Sequence, residues 1–169
     1  MLRRCLFTLV MVMAAPTLWG ADVIEDDEPP RFVEEALSLP AYPKNENLVP
    51  FDVSASSVNR FYVDAPSVSF GKDEVVRLTL VVESPSGARN VSYEGIRCAT
   101  GEKKTYAYGR ADGSWSRARD PAWQRIRDNA LNRQHAALFR DYVCVPERIY
   151  RSPEQMLGYI RRGELPLAR

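Results

Sequence analysis

Histidine is nearly missing from this chain: His135 stands alone among 169 residues. Cysteine is scarce too, three in all, and Cys5 lies at the extreme N-terminus. Structural zinc sites draw four ligands chiefly from thiolates and imidazoles, so this inventory argues against a metal centre. The sequence contains no HExxH, CxxC or GxSxG and no phosphate-cradling glycine loop. Their absence removes the local signatures of metallopeptidases, dithiol oxidoreductases, serine hydrolases and nucleotide-binding enzymes. A Ser–His–Asp triad would have to recruit His135, which sits between Gln134 and Ala136 with nothing local to support it. The expectation for that residue is a core-edge imidazole satisfied by hydrogen bonds. Carboxylate-pair hydrolysis stays open, because two acids can meet from anywhere in a fold; Glu94, Glu102 and Asp112 are its candidates. Catalysis is not expected, no catalytic residue is assigned, and no cofactor is implied.

A long apolar run occurs at the start of the chain. Arg3 and Arg4 precede a stretch from Cys5 to Ala15, which Pro16 breaks ahead of Gly20 and Ala21. A positive flank, a short apolar core and small residues beyond it have the layout of a secretory signal peptide. The run falls short of the roughly 20 residues that a membrane helix needs. Residues 1–20 are read as that signal, with cleavage after Gly20 or Ala21 and no transmembrane segment left behind. Cys5 precedes the apolar run rather than following it, which is the wrong place for lipid attachment.

Without Arg3 and Arg4 the chain carries 21 Lys and Arg against 22 Asp and Glu. Residues 22–88 hold 5 basic and 13 acidic side chains, and residues 89–169 hold 16 and 9. Such asymmetry can mark a polyanion binder. An exported protein seldom meets nucleic acid, so the expectation is an acidic front that balances a basic back.

Residues 21–47 read as an acidic, proline-rich arm. Glu25 to Glu28 are all acidic, and little apolar surface offsets the backbone entropy of ordering, about 1–2 kcal/mol per residue. Residues 22–30 are expected to be mobile. Phe32, Leu37, Leu39 and Tyr42 can dock the arm, with one helical turn around Val33 to Leu37 and an extended path at Pro40 and Pro43.

Residues 48–169 read as one domain. "RFYVD" and "SVSF" are short strands parted by Ala65-Pro66, and "EVVRLTLVVES" places Val76, Leu78, Leu80 and Val82 on one face. Pro85-Ser86-Gly87 turns the chain into "NVSYEGIRC"; "KKTYAYGRA", the Asp112-Gly113 turn and "SWSRA" follow. Within "NVSYEGIRC", Val91 and Tyr93 share one parity, Ile96 and Cys98 the other. Either a β-bulge at Glu94-Gly95 restores one face, or both faces are buried and glycine allows close packing. A long helix is predicted from Asp120-Pro121 to about Phe139 or Tyr142, with Trp123, Ile126, Ala130, Leu131, Ala137 and Leu138 on its apolar face. A second is predicted from Ser152-Pro153 to Gly163, with Met156, Leu157 and Ile160 inward. The fold class is α+β: an antiparallel meander of about four to six strands with a long and a shorter C-terminal helix packed on it.

Only Cys98 and Cys144 remain once the signal is removed. A lone pair in an exported chain points to a disulfide, worth about 4 kcal/mol for a loop of this length in the chain-entropy picture. Two free thiols, or a thiol nucleophile beside His135, are the alternatives. On the neighbouring strand Lys104, Tyr106, Tyr108 and Arg110 share a parity opposite Ala107 and Gly109. With Arg97, the tyrosines and Arg110 form the candidate ligand-binding set, suited to a ring or an acidic polymer; the alternative is an ordinary outer sheet face.

"SPSGARNVSYEGIRC", then "YAYGRADGSW", Trp123 and Cys144, together with "LPAYPKNENLVPF", resemble the cryptic neisserial protein family over roughly residues 31–162. The resemblance implies a small exported protein of Gram-negative bacteria, periplasmic or envelope-bound, with no established activity and no functional residues to carry across. The expectation is a non-enzymatic periplasmic module that binds an envelope protein partner through an open sheet face or the proline-rich arm. Ligand binding through the Tyr/Arg face comes second and an envelope hydrolase third.

Overall fold

The β-branched runs of the sequence become the strands of one antiparallel sheet. The computed structural model describes residues 32–129, 132–146 and 150–163; the expected signal peptide, the segment expected to be mobile, and Ala130 and Leu131 lie outside them. From Phe32 onward the chain forms one unit. Its strands are β1 (Leu48–Phe51), β2 (Arg60–Phe70), β3 (Val75–Glu83), β4 (Arg89–Arg97), β5 (Glu102–Gly109), β6 (Trp115–Arg117) and β7 (Gln124–Arg125). The first six follow in meander order, and β7 pairs with the far end of β5. The helical elements are α1 (Arg133–Ala137), which continues as a π-helical turn over Leu138–Val143, and α2 (Pro153–Arg162). The α+β meander with helices packed on it is therefore the observed architecture.

Alternation along β3 sorts its residues between two covered faces. Val76, Leu78, Leu80 and Val82 point to the inner face, where Ile96, Leu138, Tyr142, Met156, Leu157 and Ile160 complete the main core. Phe51, Phe61 and Tyr142 interlock there with ring centroids 5.6–5.8 Å apart. The opposite parity, Val75, Thr79 and Val81, is also fully buried. The outer face was expected to be open; the arm covers it instead. Phe32, Leu37, Leu39 and Tyr42 do the docking, while Val33 to Leu37 forms no helical turn.

Three further expectations are corrected. "RFYVD" and "SVSF" are one strand, β2, whose register against β3 shifts between Asp64 and Ser69; Pro66 is accommodated at that irregularity. The bulge is not at Glu94-Gly95, because β4 pairs with β3 without a break from Val75↔Arg97 to Glu83↔Arg89. It lies in β5, where Tyr93 pairs with Ala107 and Glu94 with Thr105, leaving Tyr106 as the extra residue. Both faces of β4 are buried, and Gly95 serves close packing: a Cβ there would meet the Tyr106 hydroxyl at 2.5 Å and Val75 Cγ1 at 2.9 Å.

The third correction concerns the long helix. Asp120-Pro121 caps nothing; helix begins at Arg133, and β7 interrupts the stretch before it. Trp123 and Ile126 have helical spacing but separate destinations. Trp123 packs on Phe32 of the arm, and Ile126 joins the main core after its N–H bonds the Gly101 carbonyl. α2 obeys its local signals: Ser152 is extended, Pro153 opens the helix, and Gly163 closes it in the left-handed conformation at φ 61°. Cys98, just beyond β4, is bonded to Cys144 at the end of the π-helical turn, closing a loop of 46 residues. The bridge thus ties sheet to helix.

Candidate functional site

On the outer face, register places Arg77, Gly95 and Lys104 side by side across β3, β4 and β5. The bulge turns Tyr106 to the same side, beside Tyr93 with ring centroids 5.7 Å apart. Trp123 approaches from the loop that follows β6, its ring 5.7 Å from Lys104 Nζ. Cations and aromatic rings alternate here, and the arm lies across them.

Each contact of the arm answers a feature of that surface. The Phe32 ring stands 3.7 Å from Arg97 Cζ and meets Trp123 edge-on. Glu34 accepts hydrogen bonds from Lys104 Nζ and from the Tyr106 hydroxyl, both 2.7 Å. Glu35 donates its backbone N–H to Asp73 Oδ2 at 2.9 Å, and Arg77 grips the same carboxylate. Leu37 and Leu39 pack beside Tyr93, Tyr106 and Ala107. Trp115 Nε1 donates to the Pro40 carbonyl at 2.9 Å, and Tyr42 lies 5.6 Å from the Trp115 ring. From Phe32 to Lys44 the arm contributes neither helix nor strand, so side-chain anchors and prolines with preset φ hold its path.

Electrostatics reinforce the seat. The hydrogen bonds from Arg77 hold the Asp73 carboxyl at about 2, against the opposing pull of burial. Burial also pushes Glu34 upward, but Lys104 and Tyr106 outweigh it and leave the carboxyl below its usual value. Burial, then the bond to Glu34, raises the Tyr106 phenol well above its ordinary range. At neutral pH the site therefore pairs a carboxylate with an ammonium and a protonated phenol.

The four ligand-binding residues expected from the sequence are divided by this geometry. Arg97 and Tyr106 are occupied by the arm. Tyr108 pairs with Ser92 and so faces the other side of the sheet, 54% exposed. Arg110 is exposed at the β5–β6 turn, donating to Ser116 Oγ at 3.2 Å. The bulge at Tyr106 breaks the parity on which their shared face depended. Lys104 shares the face of Tyr106 as expected, whereas Glu34 and Trp123 are partners that sequence reasoning did not assemble; the acidic and aromatic character of the arm was the available signal.

A second polar cluster sits on the inner side. His135 and Glu94 are both buried, with His135 Nε2 and Glu94 Oε2 2.7 Å apart. Ser92 Oγ donates to Glu94 Oε1 at 2.6 Å. Burial raises the Glu94 carboxyl, yet His135, Lys103 and Ser92 together bring it below its ordinary value. An ionised carboxylate only accepts, so His135 Nε2 carries the proton. The order Ser–Glu–His differs from that of a hydrolytic triad, in which the serine bonds to histidine. The other two carboxylate candidates have separate partners: Glu102 bonds Arg97 at 3.4 Å, and Asp112 accepts from Ser114 in its turn. Among the described residues, no group of three or more His, Cys, Asp or Glu side chains is arranged to hold a metal ion. None of the described helices is long and apolar enough to cross a membrane.

An α+β domain that wears its own N-terminal strap defines the structural class. Residues 27–161 match the model of the CNP1-like family, and the chain belongs to that family. The matched span takes in the strap as well as the sheet. No curated protein and no solved structure matches the chain.

Proposed function

We propose that this chain is an exported protein of the bacterial cell envelope that acts by binding a protein partner, without catalysis. The reading rests on one observation: Phe32 and Glu34 seated on Arg97, Lys104, Tyr106 and Trp123. A surface that holds an extended acidic and aromatic segment of its own chain has the chemistry to hold the same kind of segment from another protein. The partner segment takes the place of the arm, so the arm sets the threshold for binding. The apolar packing of Leu37 and Leu39 beside Tyr93, Tyr106 and Ala107 favours a peptide occupant over a nucleic acid. Periplasmic location is supported by the signal-like start of the sequence, by the Cys98–Cys144 bridge and by the resemblance to cryptic neisserial proteins.

A synthetic peptide of residues 31–44 tests this reading directly. It is titrated into the exported protein and into a Phe32→Ala/Glu34→Gln variant with a loosened arm. The variant is expected to bind the peptide saturably and to retain an envelope protein that the peptide then competes away. A folded variant that ignores the peptide, and retains nothing the peptide displaces, overturns the proposal.

A further inference from the structure

The inner face opens into a cavity of about 360 Å³ beside Glu94 and His135, within the 300–1,000 Å³ range typical of small-molecule sites. Val53, Phe61, Leu80 and Val82 make its apolar wall; Ser92, Glu94 and His135 are among its polar lining, and Arg133 stands with them. Leu78 and Ile96 keep this face apolar nearby. A buried hydrogen-bonded polar pair contributes little or nothing over an apolar replacement of similar volume. Glu94 and His135 therefore interrupt the core, at the place where it is hollow, at a cost that packing alone does not recover.

We propose that this cavity binds a small zwitterion of the α-amino acid class. The Glu94 carboxylate has used one acceptor position on each oxygen, for Ser92 and His135, and a carboxylate offers about four. A ligand ammonium takes those that remain. Arg133 is exposed and lines the cavity, which places its guanidinium to meet the ligand carboxylate with paired N–H donors. An apolar ligand side chain lies against Phe61, Leu80 and Val82. Lys103 adds positive charge near Glu94 without lining the cavity, so a ligand of zero net charge suits the site better than a simple cation. Both ends must be present: the ammonium satisfies the buried anion and the carboxylate satisfies the rim.

Calorimetric titration of the exported protein with L-leucine, N-acetyl-L-leucine and L-leucine methyl ester tests the assignment. L-leucine is expected to bind saturably. Removing either charge from the ligand, or making Arg133→Ala, is expected to weaken binding about tenfold or more, as loss of a charge-assisted hydrogen bond does. Glu94→Gln is expected to abolish it, and Arg133→Ala carries the test by itself if the Glu94 variant does not fold. The Phe32→Ala/Glu34→Gln variant is expected to bind L-leucine normally, which separates this site from the arm. No saturable heat with L-leucine at millimolar concentration overturns the proposal. So does equal binding of the N-acetyl derivative, or binding that Arg133→Ala leaves unchanged.

Discussion

Arg97 Cζ lies 3.7 Å from the centroid of the Phe32 ring and 5.4 Å from that of Trp123. The arm and the loop after β6 thus share one guanidinium between two rings. Arg97 is partly buried, and its contacts with the two rings contribute about 0.5–2 kcal/mol. Arg97 is accordingly a joint between two segments far apart in sequence.

Phe32→Ala removes one side of that joint. Expected are a loss of about 1–2 kcal/mol in unfolding free energy and faster protease cleavage between residues 32 and 44. Denaturant titration checks the first and timed proteolysis the second. Cleavage at the wild-type rate would mean that the arm is held elsewhere.

Acid is expected to release the arm. Glu34 and Asp73 have carboxyls held below their ordinary values, Asp73 at about 2. A carboxyl lowered in the folded state stabilises it fully above the unfolded value, near 4, and that contribution is lost as pH falls through the folded value. Trp115, bonded to Pro40 and touching Tyr42, reports the change. Its fluorescence is expected to shift between about pH 4 and pH 2, and Glu34→Gln to show the loosened arm already at neutral pH.

Joining Cys98 to Cys144 closes 46 residues. Replacing both by serine is expected to cost about 4 kcal/mol, read as a lower denaturation midpoint than that of the oxidised protein. Wild-type protein under reducing conditions should match the double-serine variant.

His135→Ala leaves the buried Glu94 carboxyl with only Ser92 bonded to it, a loss expected at about 1–3 kcal/mol. Replacing both partners by apolar residues, Glu94→Met with His135→Leu, is expected to recover most of it. A double-mutant cycle on unfolding free energies reads the coupling.

Local signals were legible in the sequence and non-local partners were not. The inward parity of Val76, Leu78, Leu80 and Val82 is written in β3 itself, and α2 carries its own start and stop in Ser152-Pro153 and Gly163. The pairing of the two cysteines followed from their number and the expected compartment. By contrast, the bulge in β5 depends on how Tyr106 meets β4, and nothing within "KKTYAYGR" announces it. The helical spacing of Trp123 and Ile126 was real but coincidental, since one residue serves the arm and the other the core. His135 and Glu94 are 41 residues apart, and only the meander brings them together. The arm advertised its extended form through Pro40 and Pro43, though not its landing place.

That landing place has a consequence for assembly order. Glu34 closes on Tyr106 across 72 residues and Pro40 on Trp115 across 75, and bringing such distant segments together is entropically slow. The arm precedes β5 and β6 in the chain and has no seat until both exist. Until the strap is seated, the tyrosines and cations of the outer sheet stay uncovered to whatever else is nearby.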